Sequence, residues 1–172
     1  MKITELKNKI AALSRDELEA LLLQIYRKNS ECKELIEIKF DSEVEARAFN
    51  KYKKQIISEF FPDRGFGRLR YSVMRMALKN FKDISTNHKL VAELMMTHVE
   101  KGVEFTNAYG DIDDRFYDNI AGMYAKVLRY ITTHSLHTIF RQRCRDVVEQ
   151  TEGMGWGFHD ELGDLYYKYY TE

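Results

Sequence analysis

"NIAGMYAKVLRYI", residues 119–131, decides the fold class of this chain. Its large apolar residues recur every three or four positions, and they are Ile120, Met123, Tyr124, Val127, Leu128 and Ile131. Because an α-helix turns once every 3.6 residues, this spacing puts all of these side chains on one face. A half-buried strand shows alternation of apolar and polar residues, and no stretch of five or more residues alternates cleanly enough to predict one. The segment therefore predicts an amphipathic helix that buries one side.

The remainder of the chain repeats this spacing and contains one proline, whereas all-β domains use many prolines in turns. We predict an all-α fold of about nine helices in an antiparallel up-down array, either a bundle or a short HEAT-like superhelix. The predicted helices cover residues 4–13, 15–28, 31–39, 43–60, 67–82, 87–101, 114–133, 136–150 and 158–170. They form one domain over residues 1–172, with short helices over 1–40 and the main array over 41–172.

The composition excludes several classes of protein. The 27 basic and 27 acidic residues give a net charge of zero, which argues against a general polyanion binder. No apolar run reaches the length of about 18 residues that a membrane span needs, and the start lacks the apolar segment of a signal peptide. Cys32 and Cys144 do not have the spacing of a metal site. Two cysteines could form one disulfide, but reduced thiols in a cytoplasmic protein are the favoured interpretation. We expect no cofactor and no membrane partner.

Seven of the nine glycines lie in three connections between predicted helices. If the helices after residue 43 alternate in direction, the connections at 61–66, 102–113 and 151–157 all emerge at one end. The tight turns at 83–86 and 133–135 then emerge at the opposite end. We therefore expect a functional site at the loop-rich end, where glycine permits positive φ and close approach of the backbone.

Charge is distributed unevenly among the same segments. Residues 61–82 contain six basic residues and one acidic residue, for a net charge of +5. Residues 83–120 contain three basic and eight acidic residues (−5), and residues 151–172 contain one basic and five acidic residues (−4). This pattern indicates either ion pairs between adjacent loops or a polar pocket that carries both signs.

The first loop, "FPDRGFGRLR", combines a helix-ending proline with three arginines. Arg64, Arg68 and Arg70 supply guanidinium donors beside a helix N-terminus, an arrangement suited to phosphate or carboxylate. The spacing matches neither a P-loop nor a dinucleotide fingerprint. Structural salt bridges are the alternative explanation of these arginines.

The second loop, "GVEFTNAYGDIDD", is rich in carboxylates. We expect Gly102 to end one helix and Asp111 or Asp113 to cap the next. The alternative is a hard-cation site in which Glu104, Asp111 and Asp113 supply oxygen ligands, although their order does not match an EF-hand.

The last stretch, "GMGWGFHDELGDLYYKYY", opens the final helix. Trp156 is flanked by glycines and is interpreted either as a hydrophobic lid or as a stacking surface. His159 lies in the first helical turn, where a neutral imidazole could act as a base or metal ligand; a packed histidine is the alternative. Asn107, from the second loop, is expected to orient a ligand together with Trp156.

Three stretches together, "EFFPDRGFGRLR", "GVEFTNAYGDIDDRFY" and "GMGWGFHDELGDLYY", resemble a bacterial family of domains without an assigned function. The resemblance covers essentially the whole chain and implies a bacterial, soluble, single-domain protein. It supplies no catalytic residue. The opening "ITELKNKIAALSRDELEALLLQIYRKN" also looks faintly like the SAP-type nucleic-acid-binding module, but lacks its glycine-containing turn.

Three hypotheses of function follow. The first is a binding or scaffold protein that uses the loop-rich end for a protein partner or small anionic ligand. In this hypothesis Arg64, Arg68 and Arg70 contact the anion, while Asn107 and Trp156 orient it. The chain carries no known catalytic signature, so whether it is an enzyme is left open.

The second hypothesis is a metal-assisted, hydrolase-like enzyme at the same end. His159 would be the base, and Glu104, Asp111 or Asp113 would hold the metal. The third and least favoured is weak nucleic-acid binding through the basic loop and the N-terminal helices.

Overall fold

The computed structural model describes residues 1–170, in which nine α-helices and no strands are found. The helices are α1 (Ile3–Ala11), α2 (Arg15–Lys28), α3 (Ser30–Ile38), α4 (Ser42–Phe60), α5 (Tyr71–Ile84), α6 (His88–Tyr109), α7 (Asp114–Thr133), α8 (His137–Glu149) and α9 (Phe158–Tyr169). The all-α prediction is confirmed. Within these described residues, no helix combines the length and the apolar character that crossing a bilayer requires.

The chain separates into two compact units, one over Met1–Ala46 and the other from Arg47 onward. The first unit contains α1, α2, α3 and the start of α4. The second contains the remainder of α4 and the helices that follow it.

The first unit has almost no core, since Ile38 is its one buried residue. Helix α2 begins with a capping box: Ser14 Oγ accepts from the Glu17 amide (3.3 Å), and the Glu17 carboxylate accepts from the Ser14 amide (2.8 Å). At the start of α4, the carboxylate of Asp41 accepts a hydrogen bond from the Glu43 amide (2.8 Å).

The second unit has a continuous core to which α6 and α7 contribute most of the buried side chains. All six members of the apolar stripe on α7 are buried, as the spacing in residues 119–131 predicts. The core is rich in aromatic rings, and those that are completely buried include Phe60, Phe81, Phe105 and Tyr124.

Successive helices in the second unit run in opposite directions where their contacts can be followed. Thr106 near the end of α6 contacts Tyr117 near the start of α7 (2.9 Å), whereas His88 at the start of α6 contacts Tyr130 near the end of α7 (2.9 Å). Three other pairs of successive helices show the same antiparallel pattern of contacts. For α4 and α5 the contacts are Phe49–Phe81 and Glu59–Arg70, and for α7 and α8 they are Tyr124–Cys144 and Thr132–His137. For α8 and the α9 segment they are Cys144–Tyr170 and Thr151–His159.

Two predicted helix boundaries are wrong. The prediction ended a helix at Gly102, but α6 continues through it to Tyr109 and ends at Gly110, whose φ is 83°. Gly102 instead permits close packing, because a Cβ at this position would lie 2.3 Å from Cδ1 of Ile120. Helix α5 begins at Tyr71 rather than at residue 67, since the residues before it are held against α4.

Candidate anion-binding groove

The arginine-rich loop at residues 61–70 is fastened to α4 by one ion pair. Glu59 is almost fully buried, and its carboxylate accepts hydrogen bonds from the backbone N and Nε of Arg70 (both 3.0 Å) and from Nη2 (2.6 Å). Burial alone would raise the pKa of Glu59, but the hydrogen bonds from Arg70 outweigh it and hold that pKa below its ordinary value. A Cβ on Gly67 would lie 2.3 Å from the carbonyl oxygen of Phe60, so the loop can lie this close only with glycine.

The N-terminus of α5 has no side-chain cap from its N-cap residue. Arg70 occupies the N-cap position and makes no capping hydrogen bond. The amides of Tyr71 and Ser72, at the first two helical positions, have no acceptor within the helix. They lie at the positive end of the α5 dipole, which favours an anion.

A groove of about 440 Å³ lies between the N-termini of α5 and α7, and we name it the arginine groove. Its lining residues are Leu69, Arg70, Tyr71, Ser72, Arg75, Ile112, Asp113 and Arg115. Neither Arg75 nor Arg115 forms an ion pair with another residue in the described range 1–170. Burial and the nearby Asp113 carboxylate raise the pKa of Tyr71 to about 12, so its phenol keeps its proton at neutral pH.

Asp113 is the one carboxylate that lines this groove within the described part of the chain, and it has a structural role. Its Oδ1 accepts the Phe116 amide (2.7 Å) as the N-cap of α7, which confirms the capping prediction for this loop. Asp111 is also engaged, because its Oδ1 accepts from the Tyr117 hydroxyl (2.9 Å). Burial raises the pKa of Tyr117, so this phenol is a donor at neutral pH.

The third loop lies against the second. A Cβ on Gly155 would be 3.5 Å from Oδ2 of Asp111, and Asn107 Nδ2 donates to the carbonyl oxygen of Gln150 (3.2 Å). Trp156 follows Gly155 with a φ of 64°, a conformation uncommon for residues other than glycine. Its side chain is 66% exposed, so it does not serve as a core anchor.

His159 borders a different groove, of about 520 Å³, between α8 and α9. Its Nδ1 lies 3.1 Å from Thr151 Oγ1, and that hydroxyl donates its proton to the carbonyl oxygen of Val148 (2.6 Å). Since the hydroxyl has one proton, Nδ1 of His159 must be the donor to Thr151, which makes Nε2 the unprotonated nitrogen of the neutral ring. Glu149, Glu152, Asp160 and Asp164 line the same groove, so its surroundings are acidic.

Of the five residues predicted to bind a ligand, Arg70 lines the arginine groove. Arg64 and Arg68 are exposed on the same loop but are not among the lining residues. Asn107 joins the ends of α6 and α8, and Trp156 lies in the loop that contacts Asp111.

The carboxylates proposed as metal ligands are separated by their partners. Glu104 forms an ion pair with Lys101 along α6, Asp111 bonds to a tyrosine, and Asp113 caps α7. No group of three His, Cys, Asp or Glu residues within positions 1–170 has the geometry to hold a metal ion.

Arg75 and Arg115 line the groove, yet sequence reasoning did not select them. Each lies inside the first two turns of a helix, where a lone arginine resembles an ordinary solvent-exposed residue. Only the juxtaposition of the α5 and α7 N-termini makes them neighbours. The available signal is that both residues lie early in a helix that follows a glycine-containing loop.

These features define an all-α protein whose glycine-containing loops border a groove with three arginines. Over residues 1–170 the chain matches the Family of unknown function (DUF6155), and it belongs to that family. The expected membership of a family without an assigned function is thereby confirmed. No curated protein and no solved structure matches the chain.

Proposed function

We propose that this protein is a binding or scaffold protein whose arginine groove holds an anionic group, such as a phosphate or carboxylate. The group belongs either to a small ligand or to an acidic side chain of a protein partner. We place this activity in the cytoplasm of a bacterium. The observation that carries the proposal is the presence of Arg75 and Arg115, without ion-pair partners in residues 1–170, beside an uncapped helix N-terminus.

The local charge supports an anion over a cation. Three guanidinium groups line the groove against one carboxylate. One of these positive charges is already compensated, because Glu59 pairs with Arg70. The Asp113 carboxylate, which is the N-cap of α7, keeps its negative charge, so two guanidinium groups outweigh one carboxylate. Arg75 and Arg115 are therefore the charges left for a ligand, and guanidinium forks suit planar carboxylate and phosphate oxygens.

The proposal assigns different roles to the arginines. Arg75 and Arg115 contact the anion, together with the amides at the start of α5. Arg70 holds the loop in place through Glu59, and Arg64 and Arg68 supply long-range attraction from the exposed loop. Asn107 and Trp156 orient the remainder of a larger ligand or partner.

The test is titration calorimetry of the full chain with inorganic phosphate, pyrophosphate and citrate, at low and high salt. We expect saturable binding of at least one of these anions, weakened about tenfold or more by Arg75→Ala and by Arg115→Ala. Arg129→Ala is the matched control, because Arg129 is exposed on α7 and lies about 21 Å along the helix axis from Arg115. Failure of all three anions to bind, or equal losses in the control, would refute the small-ligand form of the proposal.

Assays on variants of the same protein distinguish two other functions. If the protein is a hydrolase that uses His159 as base, its hydrolytic activity should be lost in His159→Gln and retained in Arg75→Ala. Nucleic-acid binding through the basic loop requires retention that falls steeply with salt and that Arg64→Ala and Arg68→Ala reduce.

A further inference from the structure

Helix α1 carries an apolar stripe that the chain leaves exposed. On α1, Ile3, Leu6 and Ile10 are 75%, 41% and 38% exposed, and the helix contains no buried residue. Leu13, in the turn that follows α1, is 37% exposed. The spacing of three and four residues along α1 is that of the seam of a helix that packs against another helix. Exposing such a stripe to water costs free energy, and covering it with another apolar surface removes that cost.

The same unit contains an apolar groove between α2 and α3. It has a volume of about 440 Å³ and is lined by Arg15, Leu18, Glu19, Leu22, Leu23, Tyr26, Ile36 and Phe40. Leu22 and Leu23 are 48% and 43% exposed, and Phe40 is 87% exposed. The α1 helix of the same chain therefore does not cover this groove in the structure.

The groove is long enough to hold the helix. Along α2 the groove extends from Arg15 to Tyr26, eleven residue steps or about 16 Å. Helix α1 has nine residues, which corresponds to about 13 Å. One copy of α1 therefore fits within one groove.

Their charges are complementary. Residues 1–13 contain three lysines and one glutamate, which gives +2, whereas α3 (Ser30–Ile38) contains one lysine and three glutamates, which gives −2. A basic helix with an apolar stripe thus meets an apolar groove whose α3 side is acidic. Opposite charge across an interface favours association and fixes orientation.

We infer that α1 of one copy docks in the α2–α3 groove of a second copy, and that the exchange is reciprocal. Each dimer then contains two identical contacts related by a twofold axis, the commonest arrangement of homodimers. The contact covers the apolar side chains of a unit in which only Ile38 is otherwise buried. This interface is independent of the arginine groove, and neither proposal depends on the other.

The test is the mass of the full-length protein by sedimentation velocity or light scattering over a range of concentrations. We expect twice the chain mass of 20.4 kDa at high concentration. Leu6→Glu on α1 and Leu22→Lys in the groove should each weaken dimerisation about a hundredfold, because each places a charge in an apolar contact. Both positions are exposed within the chain, so circular dichroism should show unchanged helix content.

Met76→Glu is the matched control, since Met76 is 56% exposed on α5 outside the interface, and it should leave the dimer intact. A mixture of the Leu6→Glu and Leu22→Lys proteins should recover a heterodimer, because the intact α1 of the second variant can enter the intact groove of the first. A wild-type protein that stays monomeric overturns the proposal. So does a dimer that Leu6→Glu disrupts but Leu22→Lys does not, which would indicate pairing of α1 with α1.

Discussion

A single buried histidine should control the acid sensitivity of this protein. His98 lies on α6 and is 2% exposed, and neither Nδ1 nor Nε2 has a hydrogen-bond partner among residues 1–170. The ring of Phe60 meets it edge to face at 5.6 Å, so its surroundings are those of a core residue. Burial, reinforced by the positive charges of Lys126 and Arg75, lowers the pKa of His98 to about 4.

The sign and size of the effect follow from this pKa. The unfolded chain takes up a proton near the ordinary value of 6.5, whereas folded His98 does so only near 4. The unfolded state therefore binds more protons between these values, and stability is lost as the pH falls below 6.5. At 1.36 kcal/mol per pH unit, the full loss is about 3 kcal/mol, and about 2 kcal/mol of it is incurred by pH 4.5.

The decisive variant is His98→Leu, which keeps a side chain of similar size and removes both unpaired nitrogens. At neutral pH we expect it to be about 1 kcal/mol more stable than the wild type, because unsatisfied buried polar atoms are costly. At about pH 4.5 the difference in free energy of unfolding should widen by about 2 kcal/mol. Only in the wild type does protonation of this histidine stabilise the unfolded chain relative to the folded one. Carboxylates titrate in both proteins and cancel in the comparison.

Urea unfolding followed by circular dichroism at both pH values measures these differences. The m-value should be the same for the two proteins, which would show that the substitution acts on stability rather than on the unfolded state. If the free energies of unfolding of His98→Leu and wild type run parallel within about 0.5 kcal/mol across this pH range, the reasoning from burial is wrong.

Three further predictions concern packing, charge and thiol chemistry. Arg70→Ala should lower the free energy of unfolding by about 2 kcal/mol, because it strands a buried carboxylate; urea denaturation tests this, and an unchanged midpoint would contradict it. Gly102→Ala should cost about 1–3 kcal/mol through overpacking against Ile120, and adding Ile120→Val should return part of that loss in a double-mutant cycle; independent effects would argue against the contact. Burial raises the pKa of Cys144 to about 12, so a thiol reagent should modify half-buried Cys32 in the folded protein and Cys144 only after unfolding.

The helical architecture could be predicted because it depends on local patterns. The stripe in residues 119–131 has the helical period, and the same side chains are buried in α7. Ser14 and Asp113 begin helices through short-range hydrogen bonds that are visible as residue types at fixed spacing. In each case the interacting groups lie within a few turns of one another in the sequence.

The extension of α6 could not be predicted in this way. A glycine near the end of an apolar pattern ordinarily signals a helix terminus, which is why Gly102 was placed there. Its actual role depends on Ile120, which reaches it from the neighbouring helix. Packing between helices therefore overrides the local signal.

The charge of the arginine groove also depends on contacts between segments that are not adjacent in the sequence. The sequence shows three arginines in one loop, but it does not show that Glu59 neutralises Arg70 from the end of the preceding helix. Once that pair is formed, Arg70 contributes to the position of the loop rather than to net charge at the groove. The positive potential that a ligand meets then comes from Arg75 and Arg115, which belong to two helices brought together by the fold. Removal of either of these two side chains should therefore weaken anion binding more than removal of the exposed Arg68, although Arg68 lies in the more conspicuous motif.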